Sequence, residues 1–173
     1  HSHNNYNQFI NNADWSDASR NDFILSANSN EVYVYIDGAM YSSNILPSLN
    51  QWIAITLTFD PEIDDLKLYF DGEEVAQWTV ENELQYPQPP INIGGYSNFP
   101  DDFSYNTVDG LMDNIVIWNR VLSNEEILTT NLNDLDVLDQ SLIAYWKFNA
   151  GENDILFDHS GNQNHGTING ATW

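Results

Sequence analysis

The run Asp158-His159-Ser160-Gly161-Asn162-Gln163-Asn164 gathers oxygen-bearing side chains around one glycine. Folded as a tight turn, it presents backbone carbonyls together with the side chains of Asp158 and Asn164. Calcium selects this kind of donor, taking roughly six to eight oxygens from carboxylates, amides and carbonyls. The same residue types also close an Asx-type turn through their own hydrogen bonds, with no metal. Both readings stay open from the residues alone. Neither this spacing nor that of Asp134, Asp136 and Asp139 matches a helix-loop-helix calcium loop, and the latter run reads as a solvated connection.

A second candidate is Tyr96-Ser97-Asn98-Phe99-Pro100-Asp101-Asp102. Aromatic faces stack on sugar rings, and carboxylates and amides bind sugar hydroxyls, so Tyr96, Asn98, Phe99, Asp101 and Asp102 form a candidate ligand-binding set. Further aromatics (Tyr33, Tyr35, Tyr41, Trp52, Trp78 and Tyr105) equally suit the layers or edges of a sheet protein. Glu62-Ile63-Asp64 offers two carboxylates, as glycoside hydrolysis requires. It follows Pro61 in a turn, however, with Lys67 and Leu68 where a further acid is needed, so it reads as a charged turn. His1, His3, His159 and His165 have neither zinc nor catalytic spacing. No nucleophile elbow, phosphate loop or dinucleotide fingerprint is present.

The elements that must carry these residues are strands. Val32, Val34 and Ile36 alternate with Tyr33 and Tyr35 and run into Asp37-Gly38, a hairpin signal. Ile53, Ile55, Leu57 and Phe59 share one face of the next strand, which Asp60-Pro61 ends. Leu66, Leu68 and Phe70 follow, and Asp71-Gly72 turns the chain toward Val75 and Trp78. Pro87, Pro89 and Pro90 exclude a central strand. Ile91 and Ile93 form a short strand before Gly94-Gly95, and a long polar loop follows to Asp109. Asp113 opens a strand through Trp118, and Ser123 with Glu126 has capping-box spacing, predicting a short helical turn near 123–129. The stretch from Leu142 to Phe148 reads as a last strand. Residues 1–21, polar and rich in Asn, read as a loop or edge piece. Many short strands and one helical turn predict an all-β protein, an antiparallel β-sandwich, with residues 1–173 as a single domain.

The formal net charge is −22, with Arg20, Lys67, Arg120 and Lys147 as the cationic side chains. Such a surface repels nucleic acid and anionic membranes and attracts cations. No apolar run is long enough to span a membrane. Without cysteine there are neither disulfides nor thiolate metal sites.

Three stretches together resemble the laminin-G-like, concanavalin A-type jelly-roll family in its bacterial branch. They are Gln51–Thr56 with Leu66–Glu73; Ile91–Gly95 with Gly110–Ile127; and Leu142–Phe148 with Asp158–Gly166. In that family the third stretch usually opens the domain, whereas here residues 141–173 close the chain. A permuted domain and a fragment of a longer protein, with neighbouring domains or another chain supplying strands, both follow from this. The resemblance implies a jelly roll and a structural calcium held by Asp113, Asp158, Asn162 and Asn164. It also implies a non-catalytic, extracellular or cell-surface module that binds a glycan or a cell-surface protein. A carbohydrate-binding accessory domain of a polysaccharide-processing enzyme and a structural spacer are its alternatives.

Overall fold

The structure is a computed structural model and describes residues 7–12, 23–81, 90–95, 107–129, 135, 137–150 and 152–173. The chain divides into two compact units, His1–Gly110 and Leu111–Trp173.

In the first unit, β1 (Asn7–Asn11), β2 (Phe23–Ala27), β3 (Val32–Ile36), β4 (Ala39–Ser42) and β8 (Asn92–Ile93) form one sheet in the order β4-β3-β2-β1-β8. A second sheet holds β5 (Ile55–Asp60), β6 (Asp65–Phe70) and β7 (Glu73–Thr79) in that order. All pairings are antiparallel. Leu25, Ala27, Val32, Val34 and Ile36 of the first sheet share one core with Leu66, Leu68, Phe70 and Val80. Ile53, Ile55, Leu57 and Phe59, the face expected from alternation, pack against it. This burial of two apolar faces against each other is what makes a sandwich.

Both Asp-Gly hairpins form as their residues demand. Asp37 and Gly38 have φ of 42° and 83°, Asp71 and Gly72 of 48° and 85°. Two successive positive φ values define the tight turn whose twist matches paired strands. A further tie joins the edge strands of the two sheets: the Trp78 indole N–H donates to Ser42 O at 3.2 Å, while its ring meets Tyr41 edge-on.

The reading of residues 1–21 as a loop or edge piece is corrected by β1, which lies inside the sheet between β2 and β8. Its buried side chains are the amides Gln8 and Asn11, while Phe9 and Ile10 pack partly buried against the core. Asn11 is fully buried and donates to Gln8 Oε1 at 3.0 Å and Gly95 O at 2.8 Å, while its own oxygen accepts from the Asn92 side-chain amide at 3.2 Å. A buried polar group costs little when it is so satisfied, but it erases the apolar alternation by which a strand is recognised.

In the second unit, β9 (Ile115–Trp118) pairs with β10 (Leu142–Trp146), and β11 (Ile155–Leu156) with β12 (Gly166–Thr167). Asp113 does not open the strand as expected. Asn114 has a left-handed backbone, φ 52°, and β9 begins after it. At the other end β10 stops at Trp146, and Phe148 is left-handed at φ 52°. The register of β10 shifts between Leu142 and Ala144, leaving Ile143 as the extra residue of a bulge. The helix α1 (Asn124–Thr129) starts at the expected cap. The Ser123 N–H donates to Glu126 Oε2 at 2.7 Å, and the Glu126 N–H donates to Ser123 Oγ at 3.3 Å, the reciprocal pair of a capping box.

Candidate functional site

The oxygen-rich turn sits against β10. The Asp158 carboxylate is buried and surrounded by donors. Its Oδ1 accepts from the backbone N–H groups of Tyr145 at 2.9 Å and Ser160 at 2.8 Å. Its Oδ2 accepts from the Asn164 N–H at 2.9 Å and lies 2.8 Å from the Ser160 hydroxyl. The single proton of that hydroxyl also has Ile143 O within reach, at 3.1 Å. Burial pushes the Asp158 carboxyl up, but the bonds from Tyr145, Ser160 and Asn164 outweigh it and hold the group below its usual range.

The neighbouring amides present nitrogen, not oxygen, to the strand. Asn162 Nδ2 donates to Leu142 O at 2.8 Å and Ile143 O at 3.0 Å, and Asn164 Nδ2 donates to Ile143 O at 2.9 Å. Their orientation is dictated by the partners, since carbonyl oxygens tolerate only a donor. Asn164 O in turn accepts from the Trp146 indole at 2.9 Å, and His165 Nδ1 accepts from the Asp158 N–H at 3.1 Å.

Burial first, and then the charge of Asp113, raise the pKa of the Tyr145 phenol, whose hydroxyl donates to Asn114 Oδ1 at 3.0 Å. Asp158 therefore accepts from the Tyr145 backbone N–H, whereas Asp113 acts on the Tyr145 phenol through its charge.

These residues do not fit a calcium ion as arranged. A hard cation needs oxygens with free lone pairs, and here the Asp158 oxygens face protein N–H groups while two of the expected amide ligands present nitrogen. Among the described residues, no group of three or more His, Asp or Glu side chains is placed to hold a metal.

Tyr96, Asn98, Phe99, Asp101 and Asp102 lie outside the described residues, as does Tyr105. The positions flanking segment 96–106 are described, and both are fastened to β1. The Gly94 N–H donates to Phe9 O at 3.0 Å, and the Asp109 N–H donates to Asn7 Oδ1 at 3.0 Å. The Val108 N–H donates to Gly94 O at 3.0 Å, which brings the entry and exit of the segment together.

The remaining aromatics divide. Tyr33 is buried in the sheet, Tyr35 packs on Ile24, and Tyr41 meets Trp78. Trp52 is 64% exposed, the one of these described aromatics left largely to solvent. Glu62 and Asp64 stand in the exposed four-residue turn between β5 and β6, and the Glu62 N–H donates to Asp60 Oδ1 at 3.0 Å.

A family model described as the concanavalin A-like lectin/glucanases superfamily matches residues 1–128. The chain belongs to this superfamily. Its antiparallel sheets and short helix accord with the superfamily's β-sandwich. Among solved structures, the chain resembles a crystal structure from Bacteroides ovatus of a protein proposed to bind carbohydrate. That match has TM-score 0.71 and 17% identity over 97% of this chain. The present chain spans 54% of that protein's length. An S-layer domain-containing protein of Clostridium thermocellum, residues 221–444, matches at TM-score 0.38 and 19% identity, over 75% of this chain and 64% of that one. No curated protein matches the sequence. Among the described residues, no helix is long and apolar enough to cross a membrane.

Two structural roles escaped sequence reasoning. One is the amide ladder of Gln8, Asn11 and Asn92. The other is Asp139, which leaves the solvated run assigned to it: it accepts from the Ser141 N–H and hydroxyl at 2.9 and 2.7 Å and pairs with Arg120 at 3.5 Å. The Asp-x-Ser order at 139–141 is the local signal that could have found it.

Proposed function

We propose that this chain is a non-catalytic carbohydrate-recognition module, displayed outside the cell, whose ligand meets segment 96–102. Membership of a lectin/glucanase superfamily and the name of the B. ovatus neighbour support a sugar ligand. The observation that carries the choice of segment is the hydrogen bonding of both flanks to β1 and to each other, with the Val108 N–H on Gly94 O at 3.0 Å. A rigid sheet that anchors the two ends of a segment rich in aromatic and acidic residues is a common design for recognition. In this reading Tyr96 and Phe99 stack on the sugar, and Asn98, Asp101 and Asp102 bind its hydroxyls.

The charge of −22 narrows the ligand class. Neutral glycans approach such a surface without penalty, whereas sulfated or uronic-acid polymers are repelled. The exposed turn holding Glu62 and Asp64 favours the non-catalytic alternative within the superfamily, because hydrolysis needs two carboxyls facing one bound sugar.

A glycan array probed with the wild-type chain and with Tyr96→Ala and Phe99→Ala tests the reading. Retention on neutral oligosaccharides that falls at least about tenfold in both variants is expected, in line with the loss of a stacking contact. Equal retention by wild type and both variants overturns the assignment of the segment. Absence of any glycan binding overturns the function.

A further inference from the structure

The pairing of β10 accounts for one of its edges only. Its partner β9 lies on one side. Among the described residues, no strand stands on the other side, where the turn that follows β11 lies instead. The backbone groups of that outer edge are nevertheless engaged. The Tyr145 N–H donates to the Asp158 carboxylate and Tyr145 O accepts from the His159 N–H at 2.7 Å. Ile143 O is met by Asn162 and Asn164, and Leu142 O by Asn162. Trp146 and Asp158 form an isolated antiparallel bridge.

We propose that the 158–164 turn is a cation-free cap on the open edge of β10, built from the very residues whose types suggest a calcium site. Three features carry this. The Asp158 oxygens already face three backbone N–H groups and a hydroxyl, so a cation there would strand those donors and meet their positive ends. The two Asn side chains are turned with nitrogen toward carbonyls, the wrong atom for a hard cation. The bulge at Ile143 leaves its carbonyl out of the β9 ladder, which supplies the acceptor that both Asn side chains use. An uncapped edge is a template for pairing with another chain. Here side chains complete what a further strand would otherwise supply.

The test is amide hydrogen exchange followed by NMR on the whole chain, reading the N–H groups of Tyr145, Ser160 and Asn164. The cap predicts slow exchange at all three, unchanged within about twofold between excess chelator and about 5 mM calcium. Calcium-induced resonance shifts at these three amides, together with slower exchange, overturn the proposal; shifts confined to other residues do not concern this turn. Asp158→Asn replaces one acceptor oxygen with a donor and is expected to speed exchange at these amides at least about tenfold relative to Leu68 in β6. Unaltered exchange in that variant also overturns the cap. Should Asp158→Asn fail to fold, the calcium comparison on the wild-type chain decides alone.

Discussion

Arg120 holds Glu126 through both of its terminal nitrogens, Nη1 to Oε2 at 3.1 Å and Nη2 to Oε1 at 2.8 Å. The same guanidinium donates from Nε to Ser141 Oγ at 3.0 Å, pairs with Asp139, and lies 5.2 Å from the centre of the Trp118 ring. One cation therefore ties the end of β9 to the capping box of α1 and to the turn that starts β10. A forked, planar donor suits this geometry, and lysine would not reproduce it.

This contact sets a pH dependence. The Arg120 hydrogen bonds first, and then those from Ser123, lower the Glu126 carboxyl from 4.5 to about 2. A carboxyl depressed in the folded state contributes stability that is complete above its unfolded value and is lost as pH falls through the folded one. The contribution should hold above pH 4.5 and fade toward pH 2. In Arg120→Ala, carboxyl NMR titration should show Glu126 moving back toward 4.5, incompletely, because the Ser123 bonds remain. High salt should weaken the pair, since both groups meet solvent.

Asn11→Ala tests the amide ladder of β1. The change leaves Gly95 O and the Asn92 amide without the partner seen here. Chemical denaturation should report a loss of about 1–3 kcal/mol, the cost of depriving the buried Gln8 amide oxygen and the part-buried Gly95 carbonyl of this donor. A loss below about 0.5 kcal/mol would mean that the ladder is not a stabilising feature.

Gly38→Ala isolates a backbone effect. Its φ is +83°, and an added Cβ would have no neighbour within 4 Å, so the expected penalty of about 1–2 kcal/mol is conformational. Gly166→Ala is the control. Its added Cβ would sit 3.5 Å from Leu156 Cβ, an ordinary contact, and its φ lies outside the left-handed region. Thermal unfolding should therefore separate the two variants, with Gly38→Ala the less stable.

Trp78→Phe should keep the aromatic contact with Tyr41 and lose the donor to Ser42 O. The expected cost of the missing hydrogen bond is about 0.5–1.5 kcal/mol in denaturant midpoint measurements. An unchanged midpoint would show that the indole N–H contributes nothing to the tie between the sheet edges.

What could be read in the sequence follows from which forces act locally. Asp37-Gly38, Asp71-Gly72 and the Ser123–Glu126 pair act within a few residues, so their turns and cap were legible. The apolar faces of β3, β5 and β6 were legible because burial imposes a period of two on them. Asn11 was not, because its partners Gly95 and Asn92 are distant in sequence and its polarity imitates a loop. The bulge at Ile143 depends on register with β9, which no local pattern encodes. At the 158–164 turn the residue types identified a polar centre correctly, but whether oxygens face an ion or N–H groups depends on where β10 runs. Resemblance groups Asp113 with Asp158; Asp158 accepts from the Tyr145 N–H, and the charge of Asp113 acts on the Tyr145 phenol.

The attachment of both flanks of segment 96–106 to β1 separates two kinds of change. Lengthening an anchored connection costs little, about 0.6 kcal/mol per doubling. Substitutions within it replace no residue of the Gly94–Val108 closure or the amide ladder, which are built from residues outside it. On the proposed reading, descendants of this chain can trade one ligand preference for another while inheriting the same scaffold, and diversity among them should concentrate between Tyr96 and Asn106.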